Sequence, residues 1–244
     1  RIDGFLGGRL RIAQPAGGYR AGADAVMLAA ACPAEAGQSV LELGCGAGVA
    51  LLCLGARVPG LDLTGLELQE PYAALARDNA AANGIAASVL TGDLARMPGP
   101  LRGQGFDHVI ANPPYFDAGT PAPDAGRGAA RHEDTPLSQW IEAGLRRLKP
   151  FGWLTLIHRA ERLGAILSAL GAGAGQITIL PVSARQGRPA GRVIVLARKG
   201  ARLAGIERYA PGQPGPAVER LGPVITGPAA QADTLFLPET AEGL

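Results

Sequence analysis

Apolar positions along this chain fall into two kinds of run, and their alternation outlines a fold. Short runs rich in Val, Ile and Leu occupy residues 38–43, 61–67, 86–91, 106–111 and 153–158. Between them, residues 48–57, 70–83, 136–148 and 160–171 lack strand alternation and carry good helix formers. Breakers sit where such elements should end. Asn83-Gly84 closes one helix, and Pro33 closes an earlier one at 25–32, for which Asp24 is read as the N-cap. Two further strands, 176–181 and 193–197, complete the series. Strand–helix alternation implies a parallel sheet with helices on both faces, to which the last strands add an antiparallel edge. Ahead of it, residues 9–21 suggest a hairpin turning at Pro15-Ala16-Gly17-Gly18. Two segments break the pattern. Residues 117–136 mix Gly, Ala, Pro and charge over 20 positions, long enough to suggest a mobile substrate loop. Residues 203–244 are rich in Pro and Gly and have no assigned role.

Chemistry gathers at the ends of the strands. The run 38–43 is followed by Gly44-Cys45-Gly46-Ala47-Gly48 and then by a helix. In that geometry backbone approaches a ligand closely and N–H groups at a helix N-terminus face it. The next strand ends in Glu67, an acid placed to bind the two hydroxyls of a ribose. A dinucleotide loop spaces its glycines to admit a pyrophosphate, but here the loop reads Glu-x-Gly-x-Gly-x-Gly, led by Glu42. A carboxylate at that point repels a pyrophosphate and favours a cationic ligand with an amino group. S-adenosylmethionine has that amino group, a sulfonium and a ribose.

Some 65 residues further on, strand 106–111 runs into Asn112-Pro113-Pro114-Tyr115. Two prolines remove two backbone donors, so the segment neither continues a ladder nor opens a helix. What remains is a rigid corner with a side-chain amide, a free Pro113 carbonyl and an aromatic ring. Asn112 and Pro113 can accept the two hydrogens of a planar amino group while Tyr115 stacks on the attached ring. Holding an adenine amine this way favours a tetrahedral nitrogen whose lone pair points at a methyl donor. Such catalysis is mostly orientation and needs no strong general base. The three histidines agree with this: His108 is mid-strand, His132 is in a loop, His158 ends a strand, and none has metal-ligand spacing.

With the glycine loop and the ribose acid, the chain resembles class I methyltransferases. The resemblance implies a Rossmann-like, doubly wound, mostly parallel seven-stranded sheet with an antiparallel edge strand, and S-adenosyl-L-methionine as cofactor. It makes Glu42, Gly44, Gly46, Gly48, Glu67, Leu68, Asp93, Leu94 and Asn112 its cofactor contacts. Asp93 is equally readable as an ordinary helix N-cap. Residues 18–28, Asn112 to Phe116, Ala130-Arg131-His132-Glu133 and the stretch from Arg188-Pro189 to Leu196 narrow the resemblance to one group. It is similar to the bacterial tRNA1(Val) (adenine-N6)-methyltransferase family over roughly residues 5–200. That family methylates the adenine 3′ of the anticodon, with Asn112, Pro113, Pro114 and Tyr115 as the catalytic set. The chain then divides into an N-terminal hairpin and helix (1–36), a methyltransferase domain (37–200) and an extension (201–244). A glutamine methyltransferase acting on release factors uses the same corner, but usually carries some 70 residues of helical domain before the cofactor loop. A DNA adenine methyltransferase would need room for a target-recognition domain. A non-catalytic RNA-binding module is the alternative from another class.

Composition narrows the partners. The chain has 244 residues, 47% of them hydrophobic, enough for one large core. Three cysteines form no disulfide framework, which suits a reducing cytoplasm, and no secretory leader is visible in residues 1–30. The longest uncharged stretch, 163–184, is broken by glycines and by Pro181, so it is read as a helix and a strand, with no membrane span. Net charge is +2, but residues 151–202 hold eight basic side chains against Glu161 alone. Such a cluster suits a phosphate backbone, here a tRNA, with Arg188 and Arg192 in an outward loop as contacts. Arg127, Arg131 and His132, after the corner, are candidates for closing over a flipped base.

Overall fold

A hairpin of β1 (Ile2–Phe5) and β2 (Leu10–Ala13) leads into helix α1 (Ala23–Ala31). The alternating part follows: β3 (Ser39–Leu43), α2 (Val49–Arg57), β4 (Asp62–Glu67), α3 (Glu70–Ala82), β5 (Ala87–Thr91), a short α4 (Gly99–Arg102) and β6 (Phe106–Ala111). Next come α5 (Leu137–Arg147), β7 (Leu148–Arg159), α6 (Leu163–Leu170), β8 (Ala174–Val182), β9 (Arg192–Lys199) and β10 (Ile206–Arg208). This computed structural model describes residues 1–115, 135–185, 188–201 and, by backbone, 206–208.

Strands β3 to β10 form one sheet in the order β10-β8-β9-β7-β6-β3-β4-β5. The chain winds outward from β3 through β4 to β5, then returns to lay β6 on the other side of β3. The order therefore reverses between β3 and β6, the kind of crevice where open α/β sheets bind ligands. Strands β3 to β9 make the expected seven, mostly parallel. The antiparallel one is β9, on the far side between β7 and β8. An eighth strand, β10, pairs parallel to β8 and lies in the extension that had no assigned role.

Burial explains the apolar runs. Helices α1 and α2 and the hairpin pack on one face of the sheet, around Val40, Leu52, Ile110 and Ile194. Helices α5 and α6 pack on the other, around Leu41, Leu43, Val109, Trp140 and Leu156. With both faces covered, the central strands need apolar side chains at successive positions. No helix among the described residues is long and apolar enough to cross a membrane.

Two local expectations are corrected. The hairpin turns earlier than residues 15–18: Ile2 pairs with Ala13 and Phe5 with Leu10. Leu6, Gly7 and Gly8 take φ of 53°, 65° and 85° there, conformations that glycine adopts at little cost. Residues 14–22 instead form a loop tied by Gln14, whose amide exchanges hydrogen bonds with the Ala21 backbone and donates to Asp3. Asp24 is also not the cap of α1, because the helix starts one residue before it and Gly22 occupies the N-cap position.

The hairpin is fastened through Asn79 on α3, which is 2% exposed. Its Oδ1 accepts from the Ala13 N–H at 2.8 Å, and its Nδ2 donates to the carbonyls of Ala13 and Ala47, both at 2.9 Å. One side chain thus joins β2, α3 and the glycine loop. Replacing Asn79 with alanine leaves one buried and two part-buried backbone groups without this partner and should cost about 1–3 kcal/mol. Urea denaturation should register that loss, and hydrogen exchange should show the Ala13 amide opening in Asn79→Ala ahead of the central strands.

Candidate functional site

Leu43 of β3 lies opposite Ala111 of β6, so whatever follows these two strands meets at one end of the sheet. After β3 comes the glycine loop. Gly44 has φ +65°, and a Cβ there would stand 2.5 Å from the Trp140 ring, which presses on the loop from α5. Only glycine fits that close approach. Gly46 lines a cleft together with Glu42, Gly44, Asn112, Tyr19 and Tyr72. A Cβ on Gly46 would meet nothing within 4 Å, so at that point the bare loop backbone is the wall of the cleft. Gly48 is the N-cap of α2.

Glu42 shares a face of β3 with Val40, beneath α1 and α2, and is 3% exposed. Its Oε2 accepts the Leu51 N–H from the first turn of α2 at 2.8 Å. Burial, reinforced by the nearby Glu67 charge, holds the Glu42 carboxyl well above the usual range. A buried acid at the wall of a cleft favours a cation beside it. Glu67 has a different neighbourhood. One oxygen accepts the Gly46 N–H and the other the Gln69 N–H, both at 2.9 Å, so Glu67 pins the loop to the end of β4. Leu68 beside it is half-buried. Asp93, just past β5, caps a 3₁₀ turn by accepting the Ala95 N–H at 2.8 Å, and Leu94 packs in the core. None of these four residues is in the lining of the cleft.

The corner after β6 is more crowded than its sequence suggests. The Asn112 amide lies between two phenols, with Oδ1 at 3.1 Å from the Tyr115 hydroxyl and Nδ2 at 3.3 Å from that of Tyr19. The Tyr115 hydroxyl donates to Asp24 Oδ2 at 2.6 Å, and Arg192 Nε donates to the same oxygen at 3.0 Å. The Arg192 guanidinium also covers the Tyr115 ring, 4.7 Å from its centroid. His158 meets that ring edge-on at 4.9 Å, accepts the Arg159 N–H at Nδ1 and bonds to the Pro114 carbonyl. Burial, helped by Asp24, raises the Tyr115 phenol well above its ordinary range.

Arg192 therefore does not stand in an outward loop. It opens β9 and is committed to Asp24 and Tyr115. Arg188 is exposed, as expected of a surface contact. Arg127, Arg131 and His132 lie outside the described residues. Tyr72 and His158 join the site although no local motif marks them, and Tyr19 and Asp24 join it from the stretch 18–28, which does not itself show what they contact. The basic cluster divides along the antiparallel register. Arg192 pairs with Arg159 at the site end, whereas Arg198 pairs with Trp153 towards the far end. Arg198 and Lys199 there bond the Phe151 and Leu148 carbonyls.

The methyltransferase small domain family matches residues 21–162. A Porphyromonas gingivalis protein named tRNA1(Val) (adenine(37)-N6)-methyltransferase is 35% identical over 153 residues, 59% of this chain and 60% of its own. Its namesake from a second strain of that species is 34% identical, covering 66% and 67%. One from Dickeya chrysanthemi is 28% identical, covering 82% and 81%. The chain thus spans about three fifths of the length of the first of these relatives. Among solved structures, a predicted O-methyltransferase from Agrobacterium tumefaciens superposes with a TM-score of 0.60 at 28% identity, covering 73% of this chain and 82% of that one. A methyltransferase from Pyrococcus furiosus shares the fold, with a TM-score of 0.59 at 17% identity, covering 79% and 90%.

Burial lowers the His158 pKa from 6.5 to about 4. Below about pH 6.5 the unfolded chain takes up a proton that the folded imidazole refuses until pH 4. The stability linked to the neutral ring is therefore present above that window and lost as pH falls through it. Urea midpoints of the parent protein should drop between pH 6.5 and 4, and those of His158→Gln should drop less steeply.

Proposed function

Because the chain belongs to the methyltransferase small domain family, we propose that it moves a methyl group from S-adenosylmethionine to the N6 amine of an adenine in tRNA. The observation that carries this reading is the shared cleft of Glu42 and Asn112. A buried acid suited to a cationic group and an amide suited to a planar amine face the same space. The cleft lining fits the methionine end of the cofactor: Glu42 would take its amino group and the Gly44 and Gly46 backbone its chain, while Glu67 with Leu68, outside that lining, are the candidates for its ribose. Asp93 and Leu94 are the candidates for its adenine edge. When bound, S-adenosylmethionine supplies an electrophilic methyl group. The rest of the work falls to the chain. Asn112 and the Pro113 carbonyl accept the hydrogens of the target amine and aim its lone pair, Pro114 stiffens the turn, and Tyr115 offers a ring to the base. His158, neutral near pH 7, braces the corner at Pro114.

The tRNA substrate rests on the names of the relatives and on charge. Arg185 and Arg188 are exposed in the segment joining β8 to β9, at the same end of the sheet as the corner. They suit a phosphate backbone passing over the cleft. An adenine just 3′ of an anticodon is unpaired in its loop and can leave the stack at modest cost. Three buried, unbridged cysteines fit the cytoplasm, where tRNA is modified.

The test separates donor from acceptor. Glu42→Gln keeps the shape of the side chain but not its charge. It should weaken S-adenosylhomocysteine at least tenfold in calorimetry, with no loss of melting temperature in the free protein. Asn112→Ala should leave that affinity within about twofold and cut transfer to a tRNA transcript at least a hundredfold. On the same transcript, Arg185→Ala with Arg188→Ala should raise KM and flatten its salt dependence. Methyl transfer to a release-factor glutamine at the same rate, indifferent to salt, would overturn the tRNA reading.

A further inference from the structure

One proton decides how the corner is wired. The Tyr115 hydroxyl has a single hydrogen and faces both Asp24 Oδ2, at 2.6 Å, and one end of the Asn112 amide, at 3.1 Å. Asp24 Oδ2 also accepts from Arg192 Nε at 3.0 Å, and an arginine-paired carboxylate has no hydrogen of its own to give. The phenol must then donate to Asp24, the shorter and charge-assisted contact. Towards Asn112 it has only a lone pair to offer. Amide oxygen and nitrogen differ too little in shape to be told apart except by their hydrogen bonds. An acceptor facing the amide calls for its NH₂ group. The opposite edge, 3.3 Å from the Tyr19 hydroxyl, is then the carbonyl oxygen, and Tyr19 has a proton to give it. Tyr19 and Asn112 both line the cleft, so that oxygen faces the space where a target amine would sit.

We propose that Asp24 is a positioning residue that acts through the Tyr115 hydroxyl to orient the Asn112 amide, turning its oxygen towards the cleft and its NH₂ towards Tyr115. This deepens the methyl-transfer reading and rests on it for its consequence, but the wiring itself is a property of the free protein. Without an acceptor at position 24, the Tyr115 proton is released to Asn112. The amide then turns its oxygen to the phenol and presents a donor to an amine that also donates. Arg192 has a share in this: by pairing with Asp24 and covering the Tyr115 ring, it holds the acceptor and the phenol in place. Tyr115 is thus more than a stacking surface, and Tyr115→Phe should not be mild.

The experiment uses the full chain and reads the amide directly. In protein labelled with ¹⁵N at asparagine side chains, the Asn112 NH₂ signal is identified by its loss in Asn112→Ala. Asp24→Ala and Tyr115→Phe should each shift that signal and speed its exchange with water. Asp24→Asn, whose amide oxygen can still accept from Tyr115 and Arg192, should leave it near its original position. In the transfer assay, Asp24→Ala and Tyr115→Phe should each lower kcat about tenfold or more, with S-adenosylhomocysteine affinity within twofold. Asp24→Asn should recover most of what Asp24→Ala loses. The double variant Asp24→Ala/Tyr115→Phe should be no slower than Tyr115→Phe alone, because the two act through one hydroxyl. An Asn112 signal indifferent to Asp24→Ala and Tyr115→Phe would overturn the wiring, as would multiplying rate effects in a double variant that still melts like its parents. A parent protein that shows the expected amide signals yet transfers no methyl group would instead refute the methyl-transfer reading and leave the wiring standing.

Discussion

Everything at the cleft depends on the parallel pairing of β3 with β6. That ladder, Val40 with His108 through Leu43 with Ala111, is the point at which the chain reverses its direction of winding. The glycine loop and the corner are far apart in sequence, and this pairing carries both to the same end of the sheet. It also sets the faces. On β3 the period of two places Leu41 and Leu43 against α5 and Glu42 against α2, so one residue of slip would bury Glu42 under Trp140 and lose the cleft. Apolar side chains on both faces of each strand oppose such a slip. The register is set by burial and then exploited by chemistry.

Against that rigid background the site carries unusual electrostatic cost. Glu42 and Glu67 are both nearly buried, and what offsets them in the free chain includes backbone N–H groups at the glycine loop, at the start of α2 and just past β4. Such an arrangement is stable enough to exist and is improved by a cation. The corner works in the opposite sense. Asp24, Arg192, Tyr115 and His158 satisfy one another, so the corner that carries Asn112 is organised within the chain itself.

Much of the sheet was legible because periodicity and breakers are local. The strand runs, the helices from 48–57 to 136–148 and the loop acids follow from neighbouring residues alone. What escaped are pairings across large separations. Asp24 reads as a cap from its position before an alanine-rich helix; its role comes from Tyr115 and Arg192, 91 and 168 residues away. His158 has ordinary surroundings in sequence and acquires meaning only when the end of β7 closes on the corner. The hairpin was misplaced because Pro15-Ala16-Gly17-Gly18 and Leu6-Gly7-Gly8 are equally good turn signals, and the bonds of Gln14 and Asn79 decide between them. The eight basic residues of 151–202 looked like one patch because a linear count cannot see that β9 runs backwards and carries Arg198 and Lys199 to the far end.

The proposed function requires that the cleft between β3 and β6 methylate an adenine amine in tRNA. The most direct measurement takes bulk RNA and protein from cells lacking this gene, adds the purified chain with methyl-labelled S-adenosylmethionine, and identifies the labelled product by digestion and mass spectrometry. The expected product is N6-methyladenosine, confined to tRNA and to one unpaired position. Label in a protein glutamine, or in RNA at a nitrogen other than N6, would contradict it.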